Sequence, residues 1–276
     1  RPRNAIREVV EAVGPAREVP GKPRIALSIG DPAAVGMAPP PFARQAVARA
    51  ALEEGPQHGY CHSQGAGPAR LALAAHLGGG LRPEDVWLAS GCSQALQLAL
   101  GTLAAPGQRV LLPRPGFPLY KMICEHYGAE PVFYDLLPDQ GWEVDLDHVR
   151  CLVREANKRS GCGEPEGAAA EGGATEGAAA GAGGGGAGGE GRPAVACMVV
   201  CTPGNPTGHA YSREHLREVC QLCDQLGLPL VSDEVYAGME FGGPAEAEGA
   251  PQGAGVADVC GDLPCFVAGG VSQRGV

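Results

Sequence analysis

The residues of this chain that could do chemistry stand in four short polar stretches, each directly after an apolar run. The first, SGCSQAL, places Gly91, Cys92, Ser93 and Gln94 at the start of a helix-forming segment. Small residues at such a junction leave backbone N–H groups free at the positive end of the helix, and the Ser93 hydroxyl adds a donor. The stretch predicts a phosphate cup, and its lack of a P-loop lysine favours a monoester over a triphosphate. Taken alone, an ordinary N-cap at Ser90 or Ser93 explains it better.

The other three stretches add an aromatic ring, an amide and a carboxylate. PRPGFPLY delivers Phe117 and Tyr120, where an aromatic side chain can stack on a planar ring or simply pack in the core. TPGNPTG presents Asn205 in a tight turn, although an Asn there often bonds only its own backbone. SDEVY ends a predicted strand on Asp233, with Tyr236 three residues later. That carboxylate can hold a protonated ring nitrogen or merely cap the next turn.

Together the four stretches fit one cofactor, pyridoxal 5′-phosphate. Its phosphate suits the cup, its planar ring suits the aromatic side chain, and a carboxylate keeps its pyridine nitrogen protonated so that the ring can accept electrons. A competing enzyme class is a serine hydrolase, because GCSQA also resembles the nucleophile elbow with Ser93 as nucleophile. That alternative is weaker, since the chain has no HGGG-type loop and no histidine after Asp233.

Apolar runs of strand length alternate with segments of helical period along most of the chain. The strand candidates are VWLAS (86–90), RVLLP (109–113), PVFYDL (131–136), VACMVV (195–200), LPLVS (228–232) and PCFVAG (264–269). Two helices are predicted before residue 56, at IREVVEAV (6–13) and at PFARQAVARAALEEG (41–55). Four more are predicted to begin at Ser93, Pro118, Asp145 and Ser212. The segment IALSIGDP (25–32) is predicted to be extended. The alternation predicts an α/β fold with a doubly wound, mostly parallel sheet covered by helices on both faces. Ligands of such sheets bind at the carboxyl ends of the strands.

Composition divides the chain into two parts and an insert. We expect residues 1–55 to form an N-terminal segment with lead-in helices and residues 56–276 to form an incomplete cofactor-binding large domain. A Gly/Ala-rich insert is expected at about 159–192, because residues 161–191 hold 14 of the 44 glycines, five Glu and no Lys or Arg. Such a segment buries too little apolar surface to offset its ordering entropy, so we expect it to be disordered.

Charge, cysteine content and hydropathy argue against several classes of function. A net charge of −10 with only 21 Lys and Arg disfavours non-specific binding to nucleic acid or to an anionic membrane. Eleven scattered cysteines argue against a disulfide framework and favour a reducing intracellular compartment. Of such compartments we expect the cytoplasm, with an organelle as the alternative. No metal site is expected, since Cys220 and Cys223 lack a second pair at ligand spacing. The chain shows neither an apolar run of membrane-spanning length nor a signal-like start.

As an ordered set, the motifs resemble those of the fold-type I, class I/II aminotransferases, and most closely the tyrosine aminotransferase and nicotianamine aminotransferase group. The matching stretches, from about residue 2 to about residue 273, are IALSIGDP, the GY of QHGYCHSQG, SGCSQAL, PRPGFPLY, TPGNPTG and SDEVY. The resemblance implies a homodimer that uses pyridoxal phosphate to move an amino group. The donor would be an amino acid of the tyrosine or aromatic type, and the acceptor a 2-oxo acid.

The same resemblance implies a role for each motif residue. Residues 91–94 would cup the phosphate, and Phe117 would stack on the ring. Asp233 would pair with the ring nitrogen, while Asn205 and Tyr236 would bond the ring oxygen. In this assignment the cofactor lies across the carboxyl edge of the predicted sheet.

Three further positions take their meaning from the resemblance. Gly30 would lie beside the substrate, and Tyr60 would reach the phosphate bound by the partner subunit. The family's cofactor-binding lysine is expected where this chain has Gln273. Because an amide cannot condense with an aldehyde, we expect the chain to be inactive as it stands. Either it is truncated before the small C-terminal domain, or it is a catalytically dead module that binds the cofactor or dimerises.

Overall fold

A computed structural model describes residues 36–55, 58–77, 80–160, 193–239 and 255–270, together with residues 8–9, 11–12, 20–21 and 33. A six-stranded sheet of order β3-β2-β1-β4-β5-β6 forms its centre. The strands are β1 Arg109–Arg114, β2 Glu130–Leu137, β3 Glu143–Val144, β4 Val195–Cys201, β5 Leu230–Asp233 and β6 Cys265–Ala268. All pairings are parallel except that of β2 with the short strand β3. The predicted mostly parallel sheet is confirmed.

Helices connect most of the strands, and their ends follow local sequence signals. They are α1 Pro41–Leu52, α2 Gly67–Leu77, α3 Cys92–Leu103, α4 Pro118–Tyr127, α5 Leu146–Ser160 and α6 Arg213–Leu226. Helix α6 begins at the N-cap Ser212, whose Oγ accepts a hydrogen bond of 3.1 Å from the His215 N–H. It ends at Gly227, whose φ of 64° is the left-handed conformation that glycine adopts without strain. Among the described residues, no helix combines the length and apolarity needed to cross a bilayer.

The central strands of the sheet, β1, β4 and β5, are buried on both faces. Leu111 and Met198 pack in a cluster with residues of α5 and α6, whereas Val110 and Cys197 pack in a second cluster with residues of α3 and α4. All seven residues of β4 are buried, which is the pattern of a central parallel strand covered on both sides. This layering confirms the doubly wound α/β architecture.

The segment VWLAS, predicted as a strand at 86–90, is not one. It is extended but has no place in the described sheet; the Leu88 N–H donates to the Gln64 carbonyl at 2.8 Å. Trp87 is 61% exposed, so the segment lacks the two-sided burial of the central strands β1, β4 and β5. Apolar composition and strand length were therefore insufficient, because strand formation also requires a neighbouring strand with free backbone groups.

Other expectations near the N-terminus have mixed outcomes. Helix α1 ends at Leu52, before the predicted residue 55, and none of its residues is buried. The four described residues of the predicted 6–13 helix are helical, whereas IALSIGDP at 25–32 lies outside the described residues.

Helix α2 and strand β3 were not predicted. Helix α5 continues through Ser160, and residues 161–192, which hold the predicted insert, lie outside the described residues.

Candidate cofactor site

Five parallel strands end at one edge of the sheet, and motif residues stand at or after three of these ends, those of β1, β4 and β5. The carboxyl ends are Arg114 of β1, Leu137 of β2, Cys201 of β4, Asp233 of β5 and Ala268 of β6. The chain passes from β1 to β2 in one direction across the sheet and from β4 to β5 in the other. The crevice beside such a reversal is where open α/β sheets bind ligands. We call this region the carboxyl edge.

Asp233 lies at the centre of the carboxyl edge. It is the last residue of β5, and only 3% of it is exposed. Its Oδ2 accepts a hydrogen bond of 2.6 Å from the Tyr120 hydroxyl, and its Oδ1 accepts from the Val235 N–H at 3.2 Å. The Cys92 thiol donates to the same Oδ1 at 3.4 Å. A buried carboxylate requires such donors, because an unpaired one would lose its hydration without replacement.

Sequence reasoning named Cys92 as part of the phosphate cup and Tyr120 as an aromatic side chain, and it missed the contacts that both make with Asp233. The Tyr120 hydroxyl stays protonated, because burial first, and then the nearby Cys201 and Asp233, raise its pKa far above the usual range. Burial and the charge of Asp233 likewise raise the pKa of Cys92 to about 12. Both groups therefore act as donors to the carboxylate. A signal for Tyr120 existed, since it follows Phe117 by one helical turn.

The predicted phosphate cup lies at the start of α3. Gly91 is the N-cap, with a φ of 81° and no side-chain hydrogen bond to the first turn. An ordinary serine N-cap is therefore wrong as an explanation of SGCSQAL. The Gln94 Oε1 instead accepts from the Ser90 N–H at 2.5 Å, which closes the loop before the helix. Gly91, Ser93 and Gln94 are exposed, and the first turn carries no acidic residue, so an anion can approach the helix end.

The aromatic residue and the polar turn border the same edge. Phe117 is half-buried at the N-cap of α4, and its ring centroid lies 5.8 Å from that of Tyr120 at an angle of 85°. Asn205 and Tyr236 line one open cavity of about 510 Å³, together with Pro203, Gly204, Pro206, Gly208, Ala210 and Met239. Burial first, and then Cys201, Asp233 and Cys92, raise the pKa of Tyr236, so its hydroxyl too is a donor.

The arrangement offers little to a serine hydrolase. Within the described part of the chain, the Ser93 hydroxyl makes no hydrogen bond to a histidine. The described histidines that hydrogen-bond to buried groups serve other contacts; His215 Nε2, for example, accepts from the Val144 N–H at 2.9 Å. The site has donors for an anion and a buried carboxylate for a cation, which suits a ligand that carries both charges.

Comparison with known proteins decides the family. The model of the family described as "Aminotransferase class I and II" matches residues 22–274. The chain belongs to the class I and II aminotransferases. It is 32% identical to human tyrosine aminotransferase over 275 residues, which are 98% of this chain and 50% of that protein. It is 33% identical to "Probable aminotransferase TAT2" of Arabidopsis thaliana over 239 residues, which are 85% of this chain and 48% of that protein.

A solved structure of this family has the same fold. The tyrosine aminotransferase of Leishmania infantum superposes with a TM-score of 0.65 at 26% identity, over 89% of this chain and 56% of that chain. The resemblance of the motifs to class I/II aminotransferases of the tyrosine aminotransferase type is therefore confirmed. The chain spans about half the length of the curated relatives it matches.

Of three further motif positions, one is described and lies apart from the carboxyl edge, and two lie outside the described residues. Tyr60 is fully exposed and packs against none of the described residues of the carboxyl edge. Gly30, expected beside the substrate, and Gln273, expected at the lysine position, both lie outside the described residues. The structure thus brings together the residues assigned to the ring and the phosphate, and leaves the substrate and covalent positions as predictions.

The described residues fit a flat ligand with a phosphate at one end and a cationic ring nitrogen at the other. The open start of α3 faces the same edge as Asp233, because the Cys92 thiol at that start touches Asp233 and also lies 3.7 Å from the Ala268 carbonyl oxygen. Asp233 is held from beneath by Tyr120, and each of its carboxylate oxygens can accept more than one hydrogen bond. A ring N–H can therefore be added without displacing Tyr120.

Proposed function

We propose that this chain is the cofactor-binding part of an aminotransferase that uses pyridoxal 5′-phosphate to pass an amino group from an amino acid to a 2-oxo acid. The observation that carries the proposal is the buried Asp233 carboxylate, which is held by the Tyr120 hydroxyl and contacted by the Cys92 thiol at the open start of α3. Similarity to human tyrosine aminotransferase supports an amino donor of the tyrosine or aromatic type.

Each residue has one task in this proposal. The N–H groups at the start of α3 and the Ser93 hydroxyl hold the phosphate, and the Phe117 ring packs against the face of the cofactor ring. The Asp233 carboxylate keeps the proton on the ring nitrogen, while Asn205 and Tyr236 donate to the ring oxygen. Pyridoxal phosphate, when bound, supplies an electron sink for the substrate carbon next to the amino group.

The covalent step is where this chain departs from its family. We infer that Gln273 replaces the cofactor-binding lysine, and an amide has no free amine with which to bind an aldehyde or move a proton. The chain has three lysines, Lys22, Lys121 and Lys158. Lys121 is exposed on α4 and lies 3.6 Å from Glu125, and Lys158 stands in the last turn of α5. Neither described lysine belongs to the carboxyl edge.

A catalytically dead module is therefore the second candidate. The chain as given would bind the cofactor without a covalent bond, and it would bind a partner copy through the residues that the family uses for dimerisation. Tyr60 supports this, because a fully exposed tyrosine is free to reach a phosphate held by another subunit. The alternatives differ in turnover and agree in cofactor binding, so binding is the property to test first.

The test compares thermal stability with and without pyridoxal phosphate. A ligand at 100 times its Kd stabilises the folded state by about 2.7 kcal/mol. Ser93→Asp should abolish this stabilisation, because the new carboxylate repels the phosphate. It should not harm folding, since Ser93 is exposed in the first turn of α3, where a negative charge favours the helix. Ser93→Asn is the matched control, because Asn has the size of Asp without its charge. This variant should retain most of the stabilisation by pyridoxal phosphate.

Borohydride reduction then tests whether the chain binds the cofactor covalently. We expect no stable pyridoxyl-lysine, because no described lysine lies at the site. Full stabilisation of Ser93→Asp would place the phosphate elsewhere and refute the proposed cup. A stoichiometric pyridoxyl adduct on one of the three lysines, together with turnover, would show that another lysine replaces the missing one.

A further inference from the structure

Two cysteine thiols face each other at the amino end of β6, opposite to the carboxyl edge. The Cys265 thiol donates to the Cys260 sulfur across 3.3 Å, and both residues are half-buried. Only four residues, GDLP, separate them in sequence. Neither thiol takes part in the candidate cofactor site, so the proposed function leaves this pair unexplained.

The turn that brings the thiols together is held at both ends by backbone hydrogen bonds. The Cys260 N–H donates to the Val256 carbonyl at 2.9 Å, and the Leu263 N–H donates to the Cys260 carbonyl at 3.1 Å. Cys265 is fixed by its parallel pairing with Leu230 in β5. Because these bonds fix both backbone positions, the fold itself holds Cys260 and Cys265 near one another, and their side-chain rotamers bring the sulfurs to 3.3 Å.

We propose that Cys260 and Cys265 are a site of reversible disulfide formation. The sulfurs need to approach by only about 1.3 Å to reach the disulfide bond length of about 2.05 Å. With a low-molecular-weight disulfide such as oxidised glutathione, one thiolate attacks and forms a mixed disulfide, releasing one glutathione. The second thiolate then forms the protein disulfide and releases the other glutathione. Two protein thiols are oxidised, one external disulfide is reduced, and both protons go to the released thiolates.

The order of these steps follows from the surroundings of the sulfurs. Burial, and then the hydrogen bond to Cys260, raise the pKa of Cys265 to about 12, so Cys265 forms a thiolate poorly. We therefore expect attack to begin at Cys260 and to be slow. Cys220 lies in the hydrophobic cluster against which both cysteines pack, and burial raises its pKa to about 11. No three Cys, His, Asp or Glu side chains of the described ranges are arranged to hold a metal ion.

A disulfide here would fix the short segment before β6, whose Val256 packs in the same hydrophobic cluster as Leu230 of β5. The Val256 N–H, four residues before Cys260, donates at 2.8 Å to the buried Glu234 carboxylate, which also accepts from the Ser232 hydroxyl at 2.9 Å. Oxidation would join this segment covalently to the first residue of the edge strand β6. Closing a ring of about six residues raises the folding equilibrium constant by up to about 40-fold. For a protein of this size, that is an increase in Tm of up to about 8 °C.

Peptide mapping tests the proposal directly. The folded chain is incubated with oxidised glutathione, its remaining thiols are alkylated under denaturing conditions, and it is cleaved on the amino side of aspartate. Cleavage at Asp258 and Asp262 places the two cysteines on different peptides, 258–261 and the one that begins at Asp262. The expected result is one linked species joining these peptides, two hydrogen masses lighter than their sum, which reduction separates.

Two variants complete the test. Cys260→Ser should remove the linked species and the rise in Tm, whereas Cys151→Ser, at an exposed cysteine of α5, should change neither. The mapping uses the unsubstituted protein, so it remains decisive if Cys260→Ser fails to fold. Absence of the linked species in the unsubstituted protein, or linkage of Cys265 to Cys220 in its place, would overturn the proposal. Neither result depends on the cofactor, so the outcome is separable from that of the proposed function.

Discussion

Replacing Tyr120 by Phe removes one hydroxyl from beneath the candidate cofactor site and leaves the rest of the side chain in place. The hydroxyl donates to the Asp233 Oδ2 at 2.6 Å, and the two residues are 1% and 3% exposed. The aromatic ring packs in the cluster between β1, α3 and α4, and Phe preserves those contacts. The variant therefore isolates one hydrogen bond between two residues 113 positions apart in the chain.

The expected loss of stability in Tyr120→Phe follows from the charge of the acceptor and from its burial. A hydrogen bond to a charged group contributes about 1.5–3 kcal/mol, and a neutral one about 0.5–1.5 kcal/mol. The remaining donors, Val235 N–H and the Cys92 thiol, both reach Oδ1, so neither replaces the lost bond to Oδ2. We expect the free energy of unfolding to fall by about 2 kcal/mol, which is a decrease in Tm of about 4–8 °C.

The assay is chemical unfolding of the ligand-free protein, with Tyr134→Phe as matched control. Tyr134 is another fully buried tyrosine, and its hydroxyl donates at 2.8 Å to a neutral acceptor, the Val199 carbonyl. Its replacement should cost about 1 kcal/mol. The comparison cancels what the two substitutions share, namely the loss of a buried hydroxyl from a tyrosine ring.

Equal losses in the two variants would refute the reasoning. If Tyr120→Phe and Tyr134→Phe lower the free energy of unfolding by the same amount, within about 0.5 kcal/mol, the bond to Asp233 is not strengthened by charge. A larger loss for Tyr120→Phe, accompanied by weaker stabilisation by pyridoxal phosphate, is the expected pattern. It would identify Tyr120 as a positioning residue for Asp233.

Two further changes test the loops around the site. Burial first, and then His215, lower the pKa of His209 in the folded chain below 6.5. As the pH falls, the imidazole is therefore protonated at a higher pH in the unfolded chain than in the folded one, and the free energy of unfolding decreases below pH 6.5. His209→Gln should therefore show a smaller decrease in Tm than the unsubstituted chain between about pH 7.5 and pH 5.5, and parallel curves would contradict this. Gly65 has a φ of 102°, and a Cβ there would lie 2.6 Å from the Leu88 side chain. Gly65→Ala should lower the free energy of unfolding by about 1–3 kcal/mol, whereas an unchanged value would show that the 86–90 segment moves freely.

Much of the fold could be predicted because it depends on local patterns. Five apolar runs became strands of the sheet. In the central strands the reason is that residues buried on both faces must be apolar whatever their neighbours are. The ends of α6 could also be predicted from the sequence, because Ser212 and Gly227 are residue types that satisfy the free backbone groups at the two ends of a helix. The motif residues followed β1, β4 and β5, and the ends of parallel strands meet at one edge of a sheet.

The pairing of strands could not be predicted in the same way, because it depends on which backbone groups the fold brings together. The run VWLAS has the composition of a strand and no strand beside it in the described sheet. The two-residue strand β3 is too short to carry a pattern; it pairs with β2 at one end, and the Val144 N–H donates to His215 of α6. Neither outcome is encoded in a window of consecutive residues.

The sequence by itself determined the fold class, the order of the elements and the residue types at the carboxyl edge, because periodicity and turn chemistry act between near neighbours. Only the tertiary structure decided which of these residues touch. It placed the Tyr120 hydroxyl and the Cys92 thiol on the Asp233 carboxylate, and it brought Cys260 and Cys265 within 3.3 Å. The physical reason is that a buried polar group takes as partner whichever donor the packed helices and strands bring within hydrogen-bonding distance, at any separation in sequence.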